Sequence, residues 1–332
     1  MSILISGGAG YVGSHTAKSL SRAGFDVVVY DNLSAGHRWA VKWGPLVEAD
    51  LSDKVAVKRA LKEHNVTSVI HFAAHAYVGE SVRDPRRYFQ NNVANTLILM
   101  DALLDARIPN VVFSSSCAVY GEPHSLPISE NHSKIPVNPY GESKLFIERV
   151  LEWYGSAYGL RWAALRYFNA AGADPEGELG EVHTPETHLV PRLIEAALGR
   201  LAAVEIFGTD YPTPDGTPVR DYVHVSDLAE AHVAALQHLA SGSESFSANL
   251  GTGRGASVRE VISAVERVSG KPLNTKAAPR RRGDPAVLVA DPAFVTTKLG
   301  WRAEQSSLEH IVSTAWNWHR RVHSSGCQTS IP

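Results

Sequence analysis

Ile3-Leu-Ile-Ser-Gly7-Gly-Ala-Gly10-Tyr-Val-Gly13 decides the fold of this 332-residue chain. A short β-branched run enters a turn with glycines three residues apart, and a helical stretch from about Val12 to Ala23 follows. Glycines in that setting permit a tight turn and let a phosphate group approach the backbone at the N-terminus of a helix. The stretch therefore predicts the strand–turn–helix unit that holds the pyrophosphate of a dinucleotide.

Apolar strands alternate with helices beyond this turn. Strands are predicted over 27–30, 66–72, 111–115 and 162–168, and helices over 53–64, 85–106 and 139–158. Strands that are apolar on both faces and separated by helices are typical of a parallel, doubly wound sheet. The sequence predicts an α/β Rossmann domain over 1–169, a smaller C-terminal α/β substrate-binding lobe over 170–323 and a polar tail over 324–332. Parts of 220–250 could return to the main sheet.

The composition excludes several classes of protein. The chain is 44% hydrophobic and 20% charged with a formal net charge of −2, so we expect neither nucleic acid nor membrane as a partner. No apolar run reaches the roughly 20 residues of a membrane span, and the N-terminus does not resemble a signal peptide. The two cysteines, Cys117 and Cys327, cannot form a disulfide framework. We expect a cytoplasmic enzyme.

An acidic residue supports the dinucleotide interpretation and selects the cofactor. Asp31 ends the second predicted strand, eighteen residues after Gly13. A carboxylate there can bind ribose hydroxyls and repels a 2′-phosphate, which favours NAD over NADP. Asp50 and Leu51, at the end of the third strand, could flank the adenine, although Asp50 could equally cap a helix.

The candidate catalytic pair is Tyr140 and Lys144, which lie on one face of a helix predicted to begin with Asn138 as N-cap. A neighbouring cation and the positive end of the helix dipole both favour the phenolate. Working as a base near pH 7 requires a fall of about three units in the pKa of the tyrosine, and a bound cationic nicotinamide would have to contribute. Ser116 ends the preceding strand and could hydrogen-bond the reacting oxygen.

Ordered motifs carry a family resemblance from Ile3 to about Trp318. They include Gly-Gly-Ala-Gly-Tyr-Val-Gly-Ser-His (7–15), His71-Phe-Ala-Ala, Phe113-Ser-Ser-Ser-Cys-Ala-Val-Tyr-Gly, Pro139-Tyr-Gly-Glu-Ser-Lys, Arg166-Tyr-Phe-Asn-Ala-Ala-Gly and Val219-Arg-Asp-Tyr-Val-His-Val. The chain resembles the extended short-chain dehydrogenases/reductases and, within them, the UDP-glucose (UDP-galactose) 4-epimerases. Val41-Lys-Trp-Gly and Ala315-Trp-Asn-Trp-His are similar to epimerases that serve bacterial exopolysaccharide synthesis.

The resemblance implies a reversible oxidation at C4 of a UDP-sugar. Tyr140 would take the proton of the 4-hydroxyl while hydride passes to NAD, and the 4-keto sugar would turn over before hydride and proton return. Ser116 would hold the 4-oxygen, and Lys144 would lower the pKa of the tyrosine and bind the nicotinamide ribose. Family members are usually homodimers, here formed through 85–106 and 139–158.

The resemblance also implies two sets of binding residues. NAD would be bound by Gly7, Gly10, Tyr11, Val12, Gly13, Asp31, Asn32, Ser34, Asp50, Leu51, Phe72, Ala73, Ala74, Asn91, Ser116, Tyr140, Lys144 and Phe168. The UDP-sugar would be bound by Ser116, Tyr140, Asn169, His188, Leu189, Phe207, Arg220 and Arg281. For Arg220 a purely structural ion pair beside Asp221 stays open, as does a solvated loop for Arg281. The histidines show no metal spacing, and no metal is expected.

Three departures from the family pattern bear on the substrate. Ala76 stands where many relatives have a lysine, so one phosphate contact is missing. His188 stands where some relatives have asparagine. Leu288 occupies the position that limits sugar size, where tyrosine disfavours N-acetylhexosamines and a small residue admits them. Leucine is intermediate, so a UDP-N-acetylhexosamine or a UDP-pentose stays open as substrate.

Two other functions compete with epimerisation. A nucleotide-sugar 4,6-dehydratase needs an acid and a base directly after the strand-end hydroxyl, whereas Cys117 and Ala118 follow Ser116 here. A non-catalytic NAD-sensing protein of the same superfamily typically lacks the tyrosine or the lysine, and this chain has both.

Overall fold

The computed structural model describes residues 1–281 and 283–324. Arg282 and residues 325–332 lie outside the described residues, and with them Cys327 and all of the predicted polar tail except Ser324.

The strands are β1 Ser2–Ser6, β2 Asp26–Asp31, β3 Leu46–Glu48, β4 Val66–His71, β5 Asn110–Ser116, β6 Arg161–Tyr167, β7 Asn169–Ala171, β8 Val204–Phe207, β9 Val219–Arg220, β10 Tyr222–His224, β11 Phe246–Leu250, β12 Ala256–Ser257, β13 Thr275–Ala278 and β14 Val287–Leu288.

The α-helices are α1 Tyr11–Arg22, α2 Lys54–Glu63, α3 Val78–Arg83, α4 Pro85–Tyr88, α5 Asn95–Asp105, α6 Pro139–Tyr158, α7 Leu189–Ala197, α8 Val225–Ala240, α9 Val258–Ser269, α10 Ala293–Leu299 and α11 Leu308–Ser324. Short 3₁₀ turns cover Arg38–Ala40 and Cys117–Val119, and a π-helical segment covers Phe89–Ala94.

The main sheet has seven parallel strands in the order β11-β6-β5-β4-β1-β2-β3. The strand order reverses beside β1, because β2 and β3 extend from one side of it and β4, β5 and β6 from the other. Open α/β sheets bind their ligands at such a reversal, outside the carboxyl ends of the strands. The predicted α/β fold class is confirmed.

Helices cover both faces of this sheet. Ile3 and Ile5 of β1 belong to one hydrophobic cluster together with residues of α1 and α8. Leu4, which points the opposite way, belongs to a second cluster with residues of α2, α5 and α6. Burial on both faces explains why the strands are apolar throughout.

The C-terminal part has a hydrophobic core of its own, built from α7, α9, α11 and β8. Three small sheets accompany it, with the orders β10-β7, β12-β9-β14 and β13-β8. Between them the chain re-enters the main sheet, because β11 pairs with β6 from Phe246 opposite Ala163 to Leu250 opposite Tyr167. None of the described helices has both the length and the apolar composition needed to cross a bilayer.

One predicted helix is interrupted. The stretch 85–106 consists of α4, the π-helical segment and α5 in direct succession. Inside the π-helical segment the buried Asn92 bonds outside the helix, to His75 and, at 3.1 Å, to Ser143 of α6. Single π-turns inside α-helices frequently accompany functional sites.

Candidate active site

The glycine turn forms a close-packed cradle between β1 and α1. Gly7 has a φ of +75°, and a Cβ there would lie 2.5 Å from the backbone nitrogen of Ala73. A Cβ at Gly13 would lie 2.3 Å from the carbonyl oxygen of Gly7. At Gly10, the N-cap of α1, a Cβ would meet only that same oxygen, at 3.3 Å. The open side of the turn therefore lies at the helix N-terminus, where a pyrophosphate fits.

The predicted adenosine-binding residues lie together at the ends of β2 and β3. The buried carboxylate of Asp31 accepts hydrogen bonds from the backbone nitrogens of Ala9, at 3.0 Å, and Leu33, at 2.8 Å. Burial raises its pKa, and these two bonds oppose the effect. The Asn32 side chain donates to Asp50 at 2.6 Å. Asp31 uses two of roughly four acceptor sites, which leaves capacity for ribose hydroxyls.

The end of β4 supplies the other wall of the cradle. The backbone nitrogens of Phe72 and Ala73 both donate to the carbonyl oxygen of Ser6, at 2.8 and 3.0 Å. Asn91, in the π-helical segment, donates to the Asn92 side chain. The Tyr11 hydroxyl donates to the carbonyl oxygen of Gly172 at 2.6 Å and so ties the cradle to the C-terminal lobe.

The helix that carries Tyr140 and Lys144 begins as the sequence predicts. Asn138 is the N-cap of α6, and its side chain accepts from the backbone nitrogen of Gly141 at 2.9 Å. Pro139 occupies the first helical turn, where its missing N–H is not needed. Tyr140 therefore lies at the positive end of a 20-residue helix.

Lys144 is buried beneath the tyrosine. Its ammonium donates to the carbonyl oxygen of Ser114 at 2.7 Å and lies 5.7 Å from the centre of the Tyr140 ring. Burial lowers the pKa of Lys144 to about 7, against the attraction of Glu148. Burial raises the pKa of Tyr140 to about 12, against a hydrogen bond with Ser116. The expected lowering of the phenol pKa is thus reversed in the protein alone, because burial outweighs the contact with Ser116.

Ser116 is placed as predicted, at the carboxyl end of β5. Its hydroxyl accepts from the backbone nitrogen of Ala118 at 3.2 Å, and it lies close enough to the Tyr140 hydroxyl to lower the pKa of the phenol against the effect of burial. One oxygen atom of a ligand could therefore contact both hydroxyls, as a hydroxyl or carbonyl at a reacting carbon requires.

A buried ion pair below this site was not predicted. Arg166 and Glu148 are each 1% exposed, and the guanidinium makes two bonds to the carboxylate, at 2.6 and 2.8 Å. Glu148 also accepts from Ser115 at 2.6 Å. In the sequence, the only sign of this ion pair was Glu148, a carboxylate one turn after Lys144. Spacing along a helix does not reveal that its partner lies on a strand elsewhere in the chain.

The residues assigned to the uridine diphosphate lie in the C-terminal lobe. The Arg281 guanidinium is 4.1 Å from the centre of the Phe207 ring. Arg220 forms an ion pair with Asp284, and not with the adjacent Asp221 that the sequence suggested. Asp221 instead accepts from Thr252 and Ala290. Leu288 pairs with Arg220 in the small sheet and packs against a cluster that contains Cys117 and Phe168.

His188 and its neighbours form a cluster that the sequence analysis overlooked. His188 is the N-cap of α7, directly before Leu189, and its Nδ1 lies 2.8 Å from Glu181 and 2.9 Å from Glu186. The sequence signal for this cluster was the run Glu-x-His-x-x-Glu-x-His over 181–188.

Asn169, another residue assigned to the substrate, starts β7 beside β10, and its backbone nitrogen donates to the carbonyl oxygen of Asp221.

Comparison with known proteins decides the family. Residues 3–251 match the model of the NAD dependent epimerase/dehydratase family. The chain belongs to this family. A UDP-glucose 4-epimerase of Rhizobium meliloti (strain 1021) is 51% identical to the present chain over 324 residues, which are 98% of each of the two chains.

Solved structures of the family agree with this assignment. A Brucella ovis UDP-glucose 4-epimerase in complex with NAD is 52% identical and has a TM-score of 0.93, covering 95% of this chain and 97% of the other. A UDP-glucose-4-epimerase of Stenotrophomonas maltophila, with bound NAD and formylated UDP-arabinopyranose, is 39% identical with a TM-score of 0.95, covering 98% and 99%. The family predicted from the motifs is confirmed.

Proposed function

We propose that this chain interconverts UDP-glucose and UDP-galactose by reversible, NAD-dependent inversion at C4 of the sugar. The observation that carries the proposal is the meeting of Tyr140, Lys144 and Ser116 at the carboxyl edge of a sheet whose first strand ends in the glycine cradle. Curated relatives that match almost the full chain, at 43 to 51% identity, include several UDP-glucose 4-epimerases.

Each residue of the site has a defined task in this reaction. Bound NAD would supply the hydride acceptor and donor that inversion at C4 requires. Tyr140 takes the proton of the 4-hydroxyl and gives it back to the 4-keto sugar. Ser116 hydrogen-bonds the same oxygen, and Lys144 supplies positive charge beneath the phenolate. Asp31, with Asn32 and Asp50 beside it, would bind the adenosine half of the cofactor.

The C-terminal lobe supplies the substrate half of the site. Arg281 over Phe207 offers a planar cation and an aromatic surface to the uridine diphosphate. Arg220, Asn169, His188 and Leu189 are assigned to the same ligand. We therefore divide the chain into an NAD-binding part over 1–169, to whose sheet β11 returns, and a nucleotide-sugar-binding lobe over the rest of 170–323.

A homodimer is part of the proposal. α6 exposes Phe146, at 47%, and Trp153, at 74%, while Phe89 of the neighbouring π-helical segment is 43% exposed. Contiguous apolar side chains on a monomer mark an interaction surface. A second copy of the same two helices would cover them.

The cellular setting follows from the proposed chemistry. NAD and nucleotide sugars place the reaction in the cytoplasm, where the buried thiol of Cys117 stays reduced. Galactose metabolism or exopolysaccharide synthesis would use the product, and the motifs Val41-Lys-Trp-Gly and Ala315-Trp-Asn-Trp-His support the second.

The test is to incubate the purified protein with UDP-galactose and no added NAD, and to follow formation of UDP-glucose. Conversion is expected, because NAD is regenerated in each cycle. UDP-arabinopyranose and UDP-N-acetylglucosamine in parallel reactions separate the three sugar classes. If none of these sugars is converted, even with NAD added, the proposal is wrong.

A further inference from the structure

Four potential metal ligands converge in the segment that leads from β7 to α7. Glu181, His183, Glu186 and His188 each offer one nitrogen or oxygen atom, and these four atoms all lie within 4.8 Å of one another. We call this group the loop cluster. It has no role in the epimerisation chemistry proposed above, apart from the contact assigned to His188.

The spacing within the loop cluster fits a tetrahedral metal ion. The Nδ1 atom of His188 is 2.8 and 2.9 Å from the two carboxylates, and the Nδ1 atom of His183 is 3.2 and 3.4 Å from them. Ligand atoms about 2.0–2.1 Å from a tetrahedral Zn²⁺ are separated by roughly 3.3 Å. Two imidazoles with two carboxylates are also a donor set that suits Zn²⁺ and similar cations.

One nitrogen atom distinguishes this group from an ordinary ion-pair network. The Nδ1 atom of His183 is buried and makes no hydrogen bond, although both carboxylates are within 3.4 Å. It is therefore close to the two oxygens without pointing its N–H along the line to either. A cation between the three atoms would hold them in that arrangement.

The charge balance of the loop cluster is compatible with a bound metal cation. The Glu181 side chain is only 4% exposed and Glu186 is 17% exposed, so two carboxylates share a space with little water. Either one dication or protons on both imidazoles would neutralise them. By contrast, the three carboxylates of the neighbouring acidic group, Asp174, Glu176 and Glu178, already surround a cation, because the ammonium of Lys18 lies 2.8, 2.9 and 2.6 Å from them.

We propose that the loop cluster binds one divalent transition-metal ion, with Zn²⁺ the best match, through Nδ1 of both histidines and one oxygen of each glutamate. The metal would fix the segment 181–188 against the start of α7. Coordination through Nδ1 leaves the Nε2–H of His188 free to donate, on a side chain that is 44% exposed.

The test uses the full-length protein without an affinity tag, treated with a chelator and then titrated with ZnCl₂ by calorimetry. One equivalent per chain is expected, together with the visible absorption of a tetrahedral site when Co²⁺ replaces Zn²⁺. His183→Ala and Glu181→Gln should each weaken binding by at least about 10-fold, since each removes a ligand. Glu178→Gln, in the neighbouring acidic group, should bind like the wild type.

Two results would overturn the proposal. If the wild-type protein binds Zn²⁺ no more tightly than His183→Ala does, protons and not a metal ion neutralise the loop cluster. Equal loss of binding in Glu178→Gln would place the ion elsewhere. Circular dichroism checks that each variant is folded, and Glu186→Gln replaces any variant that is not. A rise of the melting temperature with Zn²⁺ in the wild type alone gives a second readout.

Discussion

The Nζ atom of Lys144 lies 5.7 Å from the centre of the Tyr140 ring, one helical turn away on the same face of α6. In the protein alone burial drives both groups towards their neutral forms, since it raises the pKa of the phenol to about 12 and lowers that of the ammonium to about 7. Formation of a phenolate beside a charged lysine therefore depends on further positive charge in the crevice.

Tyr140→Phe should abolish turnover while the protein still copurifies with NAD, because the cradle at Gly7–Gly13 is unchanged. Loss of a positioned acid–base group costs about 100-fold to 10,000-fold in rate. The control is Tyr158→Phe on the same helix, whose side chain is 64% exposed. A rate near that of the wild type in Tyr140→Phe would remove the tyrosine from the mechanism.

Lys144→Met should lose enzymatic activity and gain stability against unfolding. With a pKa of about 7 when folded and about 10.4 when unfolded, the unfolded chain binds more protons between these values. The free energy of unfolding of the wild type therefore rises with pH across this window. Below about pH 7 the buried, charged Lys144 destabilises the wild type to its full extent. Cofactor-stripped Lys144→Met should be more stable than the wild type at about pH 6, with a smaller difference at about pH 10.

Urea denaturation at the two pH values measures this effect, and an assay records the lost turnover. Lys58→Met serves as control, because Lys58 is a half-exposed partner of Asp105. Equal stability differences at both pH values would contradict the assignment of a lowered pKa to Lys144.

Glu148→Gln should destabilise the protein by about 3–5 kcal/mol, because it leaves the buried guanidinium of Arg166 without a counter-charge. The matched control is Glu152→Gln, one turn further along α6 on its exposed side. The midpoint of urea unfolding distinguishes them. A shift of the same size in both variants would mean that helix propensity, and not the ion pair, is being measured.

Arg281→Ala should raise the KM for the UDP-sugar by about 10-fold to 100-fold, the equivalent of one lost charge-assisted bond of about 1.5–3 kcal/mol. Arg280→Ala is the matched control, because Arg280 lies over the Tyr211 ring and pairs with Asp210 instead. Initial rates at varied substrate concentration decide between them. An equal rise of KM in both variants would show that the overall positive charge of the loop, and not a contact of Arg281, binds the UDP-sugar.

Leu288→Ser should increase turnover of UDP-N-acetylglucosamine relative to UDP-galactose. Leu288 packs against the hydrophobic cluster that contains Cys117, the residue after Ser116, so we expect a shorter side chain to enlarge the space beside the reacting carbon. Competition assays with both sugars measure the ratio of kcat/KM. An unchanged ratio would show that this position does not limit sugar size.

The sequence could predict the main sheet and α6 because long apolar strands and a capped helix leave strong periodic signals. The strands β7 to β10 and β12 to β14 have two to four residues each, too few for any pattern. Partners across the fold were also hidden: Asp284 for Arg220, Arg166 for Glu148, and Glu181 for His188. Spacing along the chain fixes which face a residue occupies, but only the tertiary fold fixes what it meets there.

The return of the chain to β11 has a consequence during biosynthesis. β6 ends at Tyr167, and its outer neighbour begins only at Phe246. At about 5–20 residues per second the ribosome needs about 4–16 s to deliver that strand. Throughout this delay the nascent sheet presents the backbone of β6 as an open edge, on which another strand could pair. A chain cut at residue 169 would keep this edge permanently, so it should aggregate instead of forming an isolated cofactor-binding domain.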